Sequence, residues 1–174
     1  PDLAYNLNKE TSLSVTTGQV FPNGFPEDFS IVATVRPKNN TRGYLFSMYS
    51  GSTTREVLGL GFGNKTTFLY EDQAGLPGMA DSPQFDVDLA DGEWHRIGLS
   101  VKKRKLIMNV DGKNYTTKIP RTHPNPKLDT DGLIYLSRQI LSDDVWEGDI
   151  QELAVIPDPD AAFRVNDYYT PQCD

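Results

Sequence analysis

The sequence predicts an all-β sandwich or barrel that carries one short C-terminal helix. Three observations predict it. Apolar residues recur with a period of two in many short segments. Gly, Pro, Asn and Asp bound those segments, as hairpins and short loops require. Near the end, "DPDAAFRVNDYY" switches to spacings of three and four.

In chain order, "FSIVATV" places Phe29, Ile31, Ala33 and Val35 on one side of a strand. "YLFSMY", "VLGLGF", "KTTFLY" and "FDVDLA" read as the next four strands. Ile97, Leu99 and Val101 share a face, as do Leu106, Met108 and Val110. Asp111-Gly112 is a tight-turn pair, and Thr116, Thr117 and Ile119 continue into an edge-like strand. Residues 91–119 therefore read as a three-strand meander with a basic turn. Beyond its first residue, "IPRTHPNPKLDTDG" reads as a surface loop. "LIYLS" and "DIQELAVI" are two further strands. A helix over 158–169 follows, with Asp158 as its cap, Pro159 at its first position, Ala162, Val165 and Tyr169 at spacings of three and four, and packing expected from Ala162, Phe163 and Tyr169. Trp94, Trp146, Phe85, Tyr135 and Phe163 are expected in or beside the core.

The chain has 174 residues, enough for one domain (1–174) with a core of its own. Seventeen Lys plus Arg stand against 24 Asp plus Glu, a formal charge of −7. That balance disfavours general nucleic-acid binding. No apolar run is long enough to insert in a membrane. The opening "PDLAY" reads as a cut fragment or processed end.

Catalytic patterns are missing from the sequence. His95 and His123 belong to no metal motif, no GxSxG elbow occurs, and "GLGFGN" lacks the lysine and helix of a phosphate loop. Its glycines are expected to relieve crowding within a strand. The chain is therefore not expected to be an enzyme. Loop carboxylates Asp129, Asp131, Asp143 and Asp144 are the candidate ligands for calcium, the one cofactor considered. Solvated acidic loops are the plainer account of them.

Lys102, Lys103, Arg104 and Lys105 stand side by side in a chain that is negative overall. They are either the wet end of a hairpin or, with Arg121, a site for sulfated polysaccharide, whose sulfates would relieve their repulsion. Lys38, Arg42, Arg55, Lys113, Lys118 and Arg138 are further cations that could extend the patch. Sequons at Asn39, Asn64 and Asn114 favour a secreted glycoprotein. The lone Cys173 is expected to bond a cysteine outside this chain segment, with a free surface thiol as the alternative.

"DGEWHRIGLSV" followed by "LIMNVDG" resembles the laminin G-like and thrombospondin N-terminal-like superfamily. The segment "EGDIQEL…DPDAAF…YYTPQCD", with "FPEDFSIVATVRPK" and "FLYEDQAGLPG", resembles the N-terminal noncollagenous domain of fibrillar procollagens of the type V and XI group. The likeness covers about residues 10–174. It implies a laminin G-like jelly-roll of two antiparallel sheets. It also implies a non-enzymatic domain of the secreted extracellular matrix, ahead of collagen chains that assemble as a trimer. Such a domain limits fibril growth sterically and meets heparan sulfate or heparin proteoglycans and other matrix proteins. A calcium-dependent laminin G-like receptor-binding module is the alternative. The family's usual bridge between a hairpin turn and the C-terminal helix is missing, because Gly112 and Asn166 stand at those places. The resemblance puts the partner of Cys173 before Pro1.

Overall fold

Alternation fixes which face of each strand is buried. Along β3 (Phe29–Pro37), Phe29, Ile31, Ala33 and Val35 all enter the core. Ile97, Leu99 and Val101 do the same on β8 (His95–Lys102), and Leu106, Met108 and Val110 on β9 (Lys105–Val110). Opposite them stand Phe46 and Met48 of β4 (Gly43–Tyr49), Leu58, Leu60 and Phe62 of β5 (Glu56–Phe62), and Phe68 and Tyr70 of β6 (Thr66–Tyr70). Two inner faces thus close on one contiguous cluster, the arrangement of a β-sandwich. The structure is a computed structural model and describes residues 3–165.

The remaining strands are β1 (Tyr5–Leu7), β2 (Leu13–Thr16), β7 (Gln84–Phe85), β10 (Lys113–Lys118), β11 (Leu133–Leu136) and β12 (Gly148–Ile156). One six-stranded sheet runs β1-β12-β3-β8-β9-β10, the other β2-β11-β4-β5-β6-β7. Every pairing is antiparallel. The architecture is the expected two-sheet sandwich with a laminin G-like jelly-roll layout, and the meander β8-β9-β10 is as expected.

Four details differ from expectation. The edge strands β1 and β2 and the helical turn Thr17–Val20 after them were not expected; β2 is exposed along its whole length, β1 buries only Leu7 and the turn only Thr17. "FDVDLA" forms strand only through Phe85, since Val87 N–H turns back to the Phe85 carbonyl at 2.9 Å and Ala90 N–H to Asp88 Oδ1 at 2.9 Å. The loop after β10 is not wholly at the surface, because Arg121 and Leu128 are buried in it. Trp146 is buried against Phe62, with ring centroids 5.7 Å apart, but Trp94 is 39% exposed beneath Arg36.

The C-terminal helix is a single 3-10 turn, Ala161–Arg164, as far as the described residues go. Asp158 forms the turn before it instead of capping it, accepting the Asp160 N–H at 2.9 Å on its side chain. Tyr169, Asn166 and Cys173 lie outside the described residues. Phe163 points outward and Ala162 inward. Ser30 Oγ ties this turn to the first sheet by donating to the Asp158 carbonyl at 2.7 Å and accepting from Ala162 N–H at 3.0 Å. Gly98 lies directly beneath, and a methyl there would sit 2.0 Å from the Ala162 carbonyl oxygen. Gly98→Ala is expected to lose about 1–3 kcal/mol in urea unfolding. Gly63→Ala, whose methyl would meet nothing closer than 3.6 Å, is expected to be nearly neutral.

Candidate functional site

The basic run closes the β8–β9 hairpin. Lys103 and Arg104 form the two-residue turn, with Lys103 at a φ of 56°. The N–H of Lys103 donates to Asp28 Oδ1 at 2.9 Å. Arg121 clamps the same turn from the core side: its Nη1 donates to Asp28 Oδ1 at 3.0 Å and to the Lys103 carbonyl at 2.9 Å, and its Nη2 donates to the Glu27 carbonyl. Its guanidinium also lies 5.4 Å from the Tyr70 ring centroid. Arg121 is 4% exposed. It therefore does not join the surface patch expected for it, because its buried guanidinium, bonded through Nη1 and Nη2, has no solvent face for an outside anion.

Lys118 takes that place. Register pairs Lys102 with Lys105 across β8–β9 and Lys105 with Lys118 across β9–β10. Directly opposed residues point to the same side of a sheet. Val101 and Leu106, one step back, point into the core, so the three lysines project together from the outer face. Like charges directly opposed destabilise a sheet. Among the described residues, none of the ion pairs involves Lys102, Lys103, Arg104, Lys105 or Lys118. Arg104 gives only its Nε, to the Arg121 carbonyl at 3.0 Å. The other cations go elsewhere: Lys38 pairs with Glu147 at 3.3 Å, Arg55 with Glu71 at 2.8 Å and Arg42 with Asp88 at 3.7 Å. Arg138 donates to backbone carbonyls of Thr11 and Lys9, and Lys113 sits over the Tyr115 ring.

Asn39, Asn64 and Asn114 are all exposed; Asn114 stands within β10 rather than in a loop. Among the described residues no three His, Cys, Asp or Glu side chains gather to hold a metal. Asp129 is engaged by Ser50 Oγ at 2.5 Å, Ser52 Oγ at 2.9 Å and Asp131 N–H at 2.8 Å. Those bonds, led by Ser50, hold its carboxyl down at about 2. Asp131, Asp143 and Asp144 are exposed.

A cleft on the outer face of the second sheet was not foreseen. Tyr44, Tyr49, Arg55, Glu56, Glu71, Met79, Gln139 and Leu141 line about 600 Å³. Glu56 is buried; Gln139 Nε2 donates to its Oε2 at 2.7 Å, while its Oε1 has no partner. Burial pushes its carboxyl up to about 7. Burial, then Glu56, then Tyr49 push the Tyr44 hydroxyl up to about 12. The sequence signal was the spacing in "GLGFG": both glycines of a strand on its outward side leave room for something to lie there.

Residues 35–145 match the laminin G domain family. Among solved structures, domains LG4-5 of the mouse laminin alpha1 chain are 18% identical with a TM-score of 0.56, covering 84% of this chain and 38% of that one. A Trypanosoma rangeli sialidase in complex with sialic acid is 15% identical with a TM-score of 0.54, covering 81% and 23%. This chain thus spans well under half the length of either. The Ruminococcus gnavus IT-sialidase CBM40 bound to alpha2,3 sialyllactose is 16% identical with a TM-score of 0.65, covering 93% and 95%.

Two pH-linked groups act in one direction. Glu56 ionises near 4.5 when unfolded and at about 7 when folded. Its neutral form favours the native state, so stability falls as pH rises from 4.5 to about 7, by on the order of 3 kcal/mol. His95 is bonded to Asp111 Oδ2 at 2.7 Å and Asp91 Oδ1 at 2.8 Å. Burial opposes its charge, but these two hydrogen bonds and carboxylates prevail and raise its pKa above 6.5. Its contribution is complete below 6.5 and is lost as pH rises through the raised value. Glu56→Gln is expected to raise the unfolding midpoint at about pH 8 and to leave it unchanged below 4.5, read by urea titration at both pH values. In the same assay Arg121→Ala is expected to cost about 3 kcal/mol, because it strands Asp28 and the turn carbonyls, whereas Lys105→Ala costs nothing.

Proposed function

The chain belongs to the laminin G domain family, and from that premise we propose that it is a non-enzymatic extracellular binding module for sulfated polysaccharide of the heparan sulfate type. The observation that carries this is the outward row Lys102–Lys105–Lys118, with Lys103 and Arg104 at its tip and no carboxylate paired to any of them among the described residues. A sheet that opposes three ammonium groups loses stability for it. A polyanion laid across the row removes that repulsion and releases its own counterions. The net charge of −7 keeps the binding local, since screening confines the attraction to about 8–10 Å around the row. A similar sandwich solved with alpha2,3 sialyllactose supports carbohydrate as the ligand class.

The likeness of the chain to fibrillar procollagens of the type V and XI group supports a finer version. In it the folded globule, too wide for a packed fibril, stays at the fibril surface and limits accretion while its lysines hold proteoglycan. A Gly-X-Y run in the downstream sequence is the expected result, because only glycine fits the triple-helix axis. The calcium-dependent alternative draws on the exposed Asp131, Asp143 and Asp144. Heat on calcium titration, with heparin retention that needs calcium, would favour it.

Replacing Lys102, Lys105 and Lys118 by Ala is expected to lower the salt that elutes the domain from heparin. The slope of log affinity against log salt should shrink by about 2–3. Unchanged elution removes the proposal. Circular dichroism and the unfolding midpoint of the triple variant confirm that the fold is intact.

A further inference from the structure

The glycines of β5 mark a second binding face. Glycine weakens a strand, yet Gly59 and Gly61 both face outward on β5. A methyl on Gly59 would lie 2.8 Å from Tyr44 Cδ2, and one on Gly61 would lie 2.7 Å from Tyr44 Cε1. Opposite edges of one ring therefore rest on two successive outward positions. The Tyr44 ring spans the strand as a plate and lines the cleft. We propose that this plate binds a neutral pyranose sugar, with the sugar's C–H face laid on the Tyr44 ring.

The surroundings select that ligand. Among the described residues no aromatic ring or cation is stacked on Tyr44, and an aromatic face attracts the weakly positive C–H groups of a sugar ring through its quadrupole. The Tyr44 hydroxyl enters no hydrogen bond among the described residues, so it is free to meet a sugar hydroxyl. Neutrality follows from charge. Arg55 gives Nε to Glu71 Oε1 at 2.8 Å and Nη2 to Glu71 Oε2 at 3.2 Å, a two-pronged bond that leaves no unpaired cation lining the cleft. Glu56, beneath, adds negative charge or none. An anionic sugar would find no partner there. Met79 and Leu141 stand at the rim 67% and 98% exposed, apolar surface that a sugar edge would cover. This face belongs to the second sheet and the lysine row to the first, so the two sites are lost independently.

Saturation-transfer NMR on the intact chain tests the proposal with methyl β-galactopyranoside, methyl β-glucopyranoside and methyl α-N-acetylneuraminate. Saturation is expected on C–H protons of one face of a neutral glycoside. Tyr44→Phe should keep the signal, and Tyr44→Ala should weaken binding about tenfold. Heparin retention should stay unchanged in both. In the unaltered chain, the amide signals of Gly59 and Gly61 should shift with the same glycoside, which decides the matter even if Tyr44→Ala does not fold. The proposal is overturned if neither neutral glycoside receives saturation, if the neuraminate is preferred, if the shifts miss β5, or if a folded Tyr44→Ala binds as before.

Discussion

Burial of one face of each sheet is the constraint on which the rest depends. Phe29, Ile31, Leu99, Leu106 and Met108 cannot be turned outward without losing about 1.5–3 kcal/mol apiece. Slipping β9 by one residue against β8 would do that to its whole inner row. Register is therefore fixed by the core, and the outer face inherits it. Lys102, Lys105 and Lys118 project in one line because Val101 and Leu106 are locked inward beside them. Repulsion among the lysines is tolerated because the core energy that sets the register exceeds it several-fold.

Arg121 separates structural charge from available charge. It looks no different in sequence from the cations near it, yet it is buried against Asp28, the Lys103 carbonyl and Tyr70. By holding the turn from inside, it fixes the backbone that carries the exposed side chains of Lys103 and Arg104. The clamp fixes the backbone positions from which the lysines project, so a ligand meets a preset spacing of attachment points, while the lysine side chains themselves are ordered on binding.

Most of the sandwich could be read from the sequence because period two reports burial directly, as on β3 and β8. Where burial is sparse, so is the signal: β2 is exposed throughout and β1 buries only Leu7, so both pair through backbone groups that any residue supplies. The basic turn was legible as a run of four, whereas Lys118 joins it only through a pairing thirteen residues away, which no local pattern encodes. Arg121 was misread because loop composition does not report which side chain folds back beneath a hairpin. The cleft around Tyr44 is assembled from β4, β5 and the loop after β11, and only the two glycines hinted at it.

The 3-10 turn that rests on Gly98 shares the outer face with the lysines, about 13 Å away along β8. It forms a ridge at one end of that surface. A linear polymer gripping all three ammonium groups must therefore cross the strands at right angles instead of running down them. Neighbouring strands are about 4.8 Å apart, so the crossing spans about 10 Å between the outermost lysines, roughly one disaccharide of an extended chain. Under the proposed function the sandwich sets a compass bearing for a bound filament, with the ridge to one side as a kerb.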